Sequence, residues 1–146
     1  MQELLSPKAV LASLSASSKK DILKSIAEAS AALIAKDPLP IFDILWERER
    51  LGSTGVGNGI AIPHGRVPGV EQVVGFFARL PQPVDFESVD EKPVDLVFLL
   101  LAPEEAGADH LHALATISRR LRDADLCARL RAAKDSQEMY EILTVE

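Results

Sequence analysis

Apolar residues recur along this chain with two different periods, and the switches between them mark out the elements. Ile22, Ile26, Ala29 and Leu33 lie three to four residues apart, which predicts an amphipathic helix with one face in the core. Ser17 or Ser18 can cap its start, and Asp21 then sits near the positive end of the helix dipole. Lys36-Asp37-Pro38 ends it, because proline disfavours helical backbone in the residue before it. A second helix is expected with Pro40 in its first turn, where a missing N–H is harmless, and with Ile41, Ile44 and Leu45 as its stripe. Arg48 extends that stripe inward, while Glu47 and Arg50 point elsewhere.

The strand signals are shorter. Ala9–Leu14 reads as a strand, and Ile60-Ala61-Ile62 as another that Pro63 stops. Val73–Leu80 is rich in Val and Phe, with Pro81-Gln82-Pro83 expected to break it. Val94–Leu101 is nearly all apolar, the pattern of a central strand covered on both faces. Between the last two, residues 84–93 carry Asp85, Glu87, Asp90 and Glu91 without any period, which reads as solvated surface charge.

A third helix opens near Gly107 or Asp109. Its core stripe is His110, Leu114, Ile117 and Leu121, flanked by Leu111 and Ser118; His112 shares the solvent side with Thr116 and Arg119. Leu126–Ala133 and Ser136–Leu143 complete the helices, with Ser136 as the expected cap of the last and Met139, Ile142 and Leu143 as core. Strands and helices mixed in this way predict an α/β fold, one domain over 1–146, with a mixed sheet flanked by helices.

Composition removes several functions. A net charge of -6 argues against nucleic acid, and the one compact basic run, Arg119-Arg120-Leu121-Arg122, reads as a solvated helix face. A single cysteine, Cys127, cannot form an internal disulfide or a multi-cysteine zinc site, and its apolar neighbours mark it as a buried structural thiol. The N-terminal segment lacks the basic start and apolar run of a signal peptide. The longest apolar run, Leu96–Ala102, falls far short of the roughly 20 residues that span a bilayer. A cytoplasmic protein with no membrane insertion is the expectation.

The chemistry concentrates in Gly52–Arg66, which holds Gly52, Gly55, Gly57, Gly59 and Gly65 of the eight glycines and ends in Pro63-His64-Gly65. Such a density of glycine serves positive φ angles or close approach to a ligand. The stretch lacks the Lys-Ser/Thr ending of a Walker A loop, and it precedes a strand where a dinucleotide fingerprint follows one. His110 and His112 face different ways, so at most two histidines converge, and no metal is expected. Neither Ser53 nor Ser118 sits in a nucleophile elbow. What remains is His64 at a strand end, His110 at a helix N-terminus where an anion is favoured, Arg48, and the hydroxyls of Ser53 and Thr54. Two readings stay open for the first-named partners: Arg48 can be a surface arginine with its stem over apolar neighbours, and His110 a hydrogen-bonded core residue. Read together, they make an anion pocket beside a nucleophilic imidazole, as phosphoryl transfer requires.

The run Arg48-Glu49 through Pro63-His64-Gly65, followed later by Asp109-His110-Leu111, resembles the IIA components of the bacterial phosphotransferase system, of the mannitol/fructose type. The free-standing nitrogen-regulatory IIA branch is the most similar, and the resemblance covers essentially the whole chain. It implies a cytoplasmic domain whose His64 takes a phosphoryl group from an HPr-like carrier, with His110 and Arg48 as active-site partners. Ser53, Thr54 and Gly65 are expected to line the phosphate site, and no cofactor is expected. It also implies regulated target proteins, of potassium-transport or sensor-kinase type, bound according to phosphorylation state. The alternative is a sugar-pathway IIA that passes phosphate to a IIB domain for mannitol or fructose; a further one is a binding module that keeps the fold without the chemistry.

Overall fold

The apolar run over residues 94–102 forms a strand buried along its whole length except at Asp95, and the sheet is built outward from it. The computed structural model describes residues 3–145. In chain order the elements are β1 (Val10–Leu11), α1 (Lys19–Ile34), α2 (Pro38–Arg50), β2 (Gly55–Gly57), β3 (Ile60–Ala61), β4 (His64–Arg66), β5 (Val74–Val84), β6 (Val94–Ala102), α3 (Ala108–Leu121), α4 (Ala124–Ala132) and α5 (Ser136–Thr144). The strand order is β1-β5-β6-β3-β2, with β4 also paired to β6. β1 runs parallel to β5, β5 antiparallel to β6, β3 and β4 parallel to β6, and β2 antiparallel to β3. This is the single-domain mixed sheet with flanking helices that the periodicity predicts.

α2 starts at Pro38, which puts Pro40 in its first turn as expected; Asp37 caps it by accepting from the Leu39 amide at 3.1 Å. Three local expectations are corrected. Asp135, not Ser136, caps α5, because its carboxylate reaches the Glu138 amide at 2.9 Å. The strand expected over Ala9–Leu14 shrinks to Val10–Leu11 after a 3-10 turn at Pro7–Ala9. β5 continues through Pro81 and Pro83 to Val84, because its register against β6 shifts between Arg79 and Val84. An irregular stretch of that kind tolerates residues that cannot donate to the ladder.

Two arginines close helix ends, one of them Arg120 from the run that reads as a solvated face. Arg79 on β5 donates to the carbonyls of Leu130, Arg131 and Ala133 at the end of α4. Arg120 on α3 donates to those of Ile142 and Val145 at the end of α5. Terminal helix carbonyls lack intrahelical partners, so each guanidinium supplies what the backbone cannot.

Candidate active site

His64 does not end a strand, as Pro63 suggested; it opens β4. Ala61 pairs with Val97 and His64 with Leu100, so β3 and β4 keep one register along β6 and only Ile62-Pro63 falls between them. The Pro63 carbonyl still accepts from the Leu100 amide at 3.0 Å. The histidine is therefore fixed by a central strand on one side of its backbone. Its ring is held separately: Nδ1 lies 2.9 Å from the Ile62 carbonyl oxygen. A carbonyl can only accept, so Nδ1 carries the proton and the lone pair of the neutral ring is on Nε2.

His110 stands in the first turn of α3, as its stripe predicts, and is 6% exposed. Its ring centroid is 5.6 Å from that of His64, with the planes inclined by 46°. The His110 Nδ1 is buried and has no hydrogen-bond partner among the described residues. His112 is exposed on the solvent side, as expected.

Arg48 is half-buried in the last turn of α2 and donates to the Gly52 carbonyl at 2.9 Å. Gly65 explains how α2 comes so close to β4. A Cβ on Gly65 would lie 2.6 Å from Ile44 Cγ2, so only glycine lets the helix rest there. Ile44 and Arg48 are one helical turn apart on the same face, and the contact that seats Ile44 carries Arg48 toward His64.

Both histidines are held below the ordinary histidine range. For His64 burial is the main cause, with the positive charge of Arg48 acting in the same direction; the Ile62 carbonyl and the Glu49 carboxylate oppose it. For His110 burial again leads, followed by repulsion from His64 and from Arg66. Both rings are accordingly neutral at neutral pH, the state in which Nε2 of His64 is a nucleophile.

Ser53 and Thr54 have other employment. The Ser53 hydroxyl donates to the Phe86 carbonyl at 3.0 Å and accepts from the Gly55 amide at 3.0 Å. Thr54 is buried, with its hydroxyl on the Glu49 carboxylate and its amide 3.0 Å from Glu49 Oε1. The hydroxyls expected to meet an anion shape the loop instead.

The fit between these residues and phosphoryl chemistry is matched by kinship. Residues 3–145 match the family model described as phosphoenolpyruvate-dependent sugar phosphotransferase system, EIIA 2. The chain belongs to this family. It is 52% identical over 143 residues to a nitrogen regulatory protein of Bradyrhizobium diazoefficiens, covering 98% of this chain and 94% of that one. It is 44% identical over 128 residues to the nitrogen regulatory protein of Escherichia coli K12, covering 87% and 78%. The crystal structure of nitrogen regulatory protein IIA-Ntr from Neisseria meningitidis superposes with a TM-score of 0.91 at 35% identity, over 97% of both chains. The IIA mannitol structure from Escherichia coli, at 21% identity and a TM-score of 0.80, shares the fold.

Sequence reasoning missed three features around this candidate site. The first is Glu49, buried at 6% exposure. The core stripe of α2 runs Ile41, Leu45, Glu49 at a spacing of four, so the signal was present one position beyond Arg48. The second is the backing that the connection after β5 gives the glycine loop, although its four carboxylates are exposed, as expected. Phe86 is fully buried, the Val89 amide donates to the Gly55 carbonyl, and the Asp90 carboxylate accepts from the Asn58 amide at 3.0 Å. The Asn58 amide, with that of Lys92, holds the Asp90 carboxyl below the usual carboxylate range. The third is Arg66, on β4 two residues beyond His64, whose charge is felt at His110.

Proposed function

We propose that this chain is a phosphoryl carrier of a nitrogen-related phosphotransferase system, acting in the cytoplasm. His64 accepts the group from an HPr-like protein, and targets are then regulated through phosphorylation-dependent binding. The observation that supports this most is the pairing of a half-buried imidazole, fixed through Nδ1 by the Ile62 carbonyl, with a second buried imidazole 5.6 Å away.

In the step we infer, the lone pair on His64 Nε2 attacks the phosphorus of the carrier's phosphohistidine. The new N–P bond forms as the old one breaks, and the carrier's imidazole leaves with the bonding pair. The Nδ1 proton stays on His64, against Ile62. Three phosphoryl oxygens then sit beside Arg48 and His110, whose unpartnered ring nitrogen makes it the group that can take up a proton against the new negative charge. Gly65 serves by letting Arg48 approach.

The sugar-pathway reading, transfer to a IIB domain, is favoured by one observation. A fructose-specific EIIA component of Haloferax volcanii is 40% identical over 101 residues, covering 69% of this chain. The nitrogen-regulatory relatives match at higher identity over more of the chain, which favours the regulatory role. Purified carriers of the two branches separate the readings: labelling by the nitrogen-branch carrier supports regulation, and rapid labelling by the sugar carrier alone supports sugar uptake. Affinity capture from lysate with wild type and His64→Ala then shows which partners, whether of potassium-transport or sensor-kinase type, depend on the phosphoryl group.

A further inference from the structure

The buried carboxylate of Glu49 is a feature that transfer through His64, His110 and Arg48 leaves unexplained. Its side chain is 2% exposed and meets Lys19 Nζ at 2.9 Å, an ion pair joining the end of α2 to the first residue of α1. Lys19 also lies over the Phe86 ring, 5.0 Å from its centroid. A charge at that depth is costly unless paired and hydrogen-bonded. Among the described residues, the contacts that satisfy it besides Lys19 come from Thr54: the amide at 3.0 Å and the hydroxyl.

From Thr54 the connection continues to the reacting ring. The Thr54 carbonyl accepts from the Ile62 amide at 2.9 Å. The Ile62 carbonyl accepts from His64 Nδ1, also at 2.9 Å. One carboxylate thus sets one loop residue, that residue sets the one before Pro63, and the latter fixes the tautomer and plane of the imidazole. Gly52, Gly57 and Gly59 all adopt positive φ, so the course of the loop around Thr54 relies on side-chain anchors of this kind.

We propose that Glu49 is the positioning residue of the site, acting on His64 through the backbone of Thr54 and Ile62 and giving the pocket the negative charge that offsets Arg48. Its part in phosphoryl transfer rests on the carrier reading; its hold on the His64 ring does not. The charged and titratable groups around that ring are Arg48 and Glu49 from α2 and His110 from α3, the last neighboured by Arg66. Among these Glu49 is the one that raises the proton affinity of His64 by its charge, so its removal has a defined sign.

The test is a titration of the His64 ring nitrogens by NMR in wild type, Glu49→Gln and the double variant Lys19→Met/Glu49→Gln. The double variant removes both charges together and leaves none buried alone, which keeps the test usable if Glu49→Gln does not fold. In both variants the account expects His64 to titrate at lower pH than in wild type and the Nδ1–H tautomer to lose population. Phosphorylation by the carrier should slow by roughly 10- to 100-fold, the scale on which outer partners of metal-bound histidines act. A folded variant with wild-type His64 titration and tautomer overturns the proposal, whatever happens to phosphorylation. Wild type that takes no phosphoryl group at all overturns the carrier reading and leaves the ring measurement standing.

Discussion

His64 and His110 face one another at 5.6 Å between ring centroids, one fixed by a central strand and the other carried on the first turn of a helix. Of the two, His64 has Nδ1 tied to the Ile62 carbonyl, whereas the Nδ1 of His110 is buried and unpartnered among the described residues. On the carrier reading proposed above, the two rings take different work, one oriented for attack and one with capacity for the charge that arrives.

His110→Ala should therefore still accept phosphate but pass it on poorly or hold it less stably. A loss of about 100-fold in onward transfer is the scale for removing one preorganised donor. Quenched-flow labelling followed by chase to an acceptor measures both steps. Wild-type rates in each would remove the role assigned to His110.

The depressed histidines also predict a pH dependence of stability. A neutral ring in the folded state and an ordinary ring in the unfolded state mean that the unfolded chain binds more protons as pH falls through 6.5. Stability is then fully present above 6.5 and declines below it, until the folded-state values are reached. Urea unfolding midpoints measured on both sides of 6.5 should show this decline, and the double variant His64→Gln/His110→Gln should show less of it. An undiminished slope in the double variant would contradict the assignment.

Gly65 makes a packing prediction. Alanine there would meet Ile44 Cγ2 at 2.6 Å, and a γ-methyl of a β-branched residue has little room to swing away. Gly65→Ala should cost about 1–3 kcal/mol in thermal or urea unfolding, the range for overpacking. It should also slow phosphorylation by moving Arg48, and Gly65→Ala/Ile44→Ala should recover part of both. A fully stable, fully active Gly65→Ala would show that α2 does not rest on this contact.

Arg48 lowers the proton affinity of His64, so Arg48→Gln should raise the pH at which that ring titrates by NMR. It should also slow phosphorylation by roughly 10- to 100-fold, matching the loss of about 1.5–3 kcal/mol for a hydrogen bond to a charged group. An unchanged titration would place Arg48 outside the pocket.

Much of this was legible in the chain. Helical spacing gave the inward face of His110, and the glycine run with Pro63-His64 singled out His64 as the candidate nucleophile. Two things were not legible. Pro63 looked like a strand end because proline lacks a donor, yet a parallel neighbour on β6 carried the register across it. The carboxylates of the acidic connection are exposed, as its lack of period implies, but its contacts with the glycine loop through Phe86, Val89 and Asp90 are ones that no local spacing encodes. Glu49 lay between the two cases, at the stripe's spacing of four from Leu45 but not counted in it.

The central claim is tested most directly by intact-mass analysis after incubation with phosphoenolpyruvate, the first enzyme of the relay and the HPr-like carrier. Wild type should gain the mass of one phosphoryl group, lost on acid treatment as phosphohistidine is, and His64→Ala should gain none. No gain in wild type, or an equal gain in His64→Ala, would contradict a carrier centred on His64.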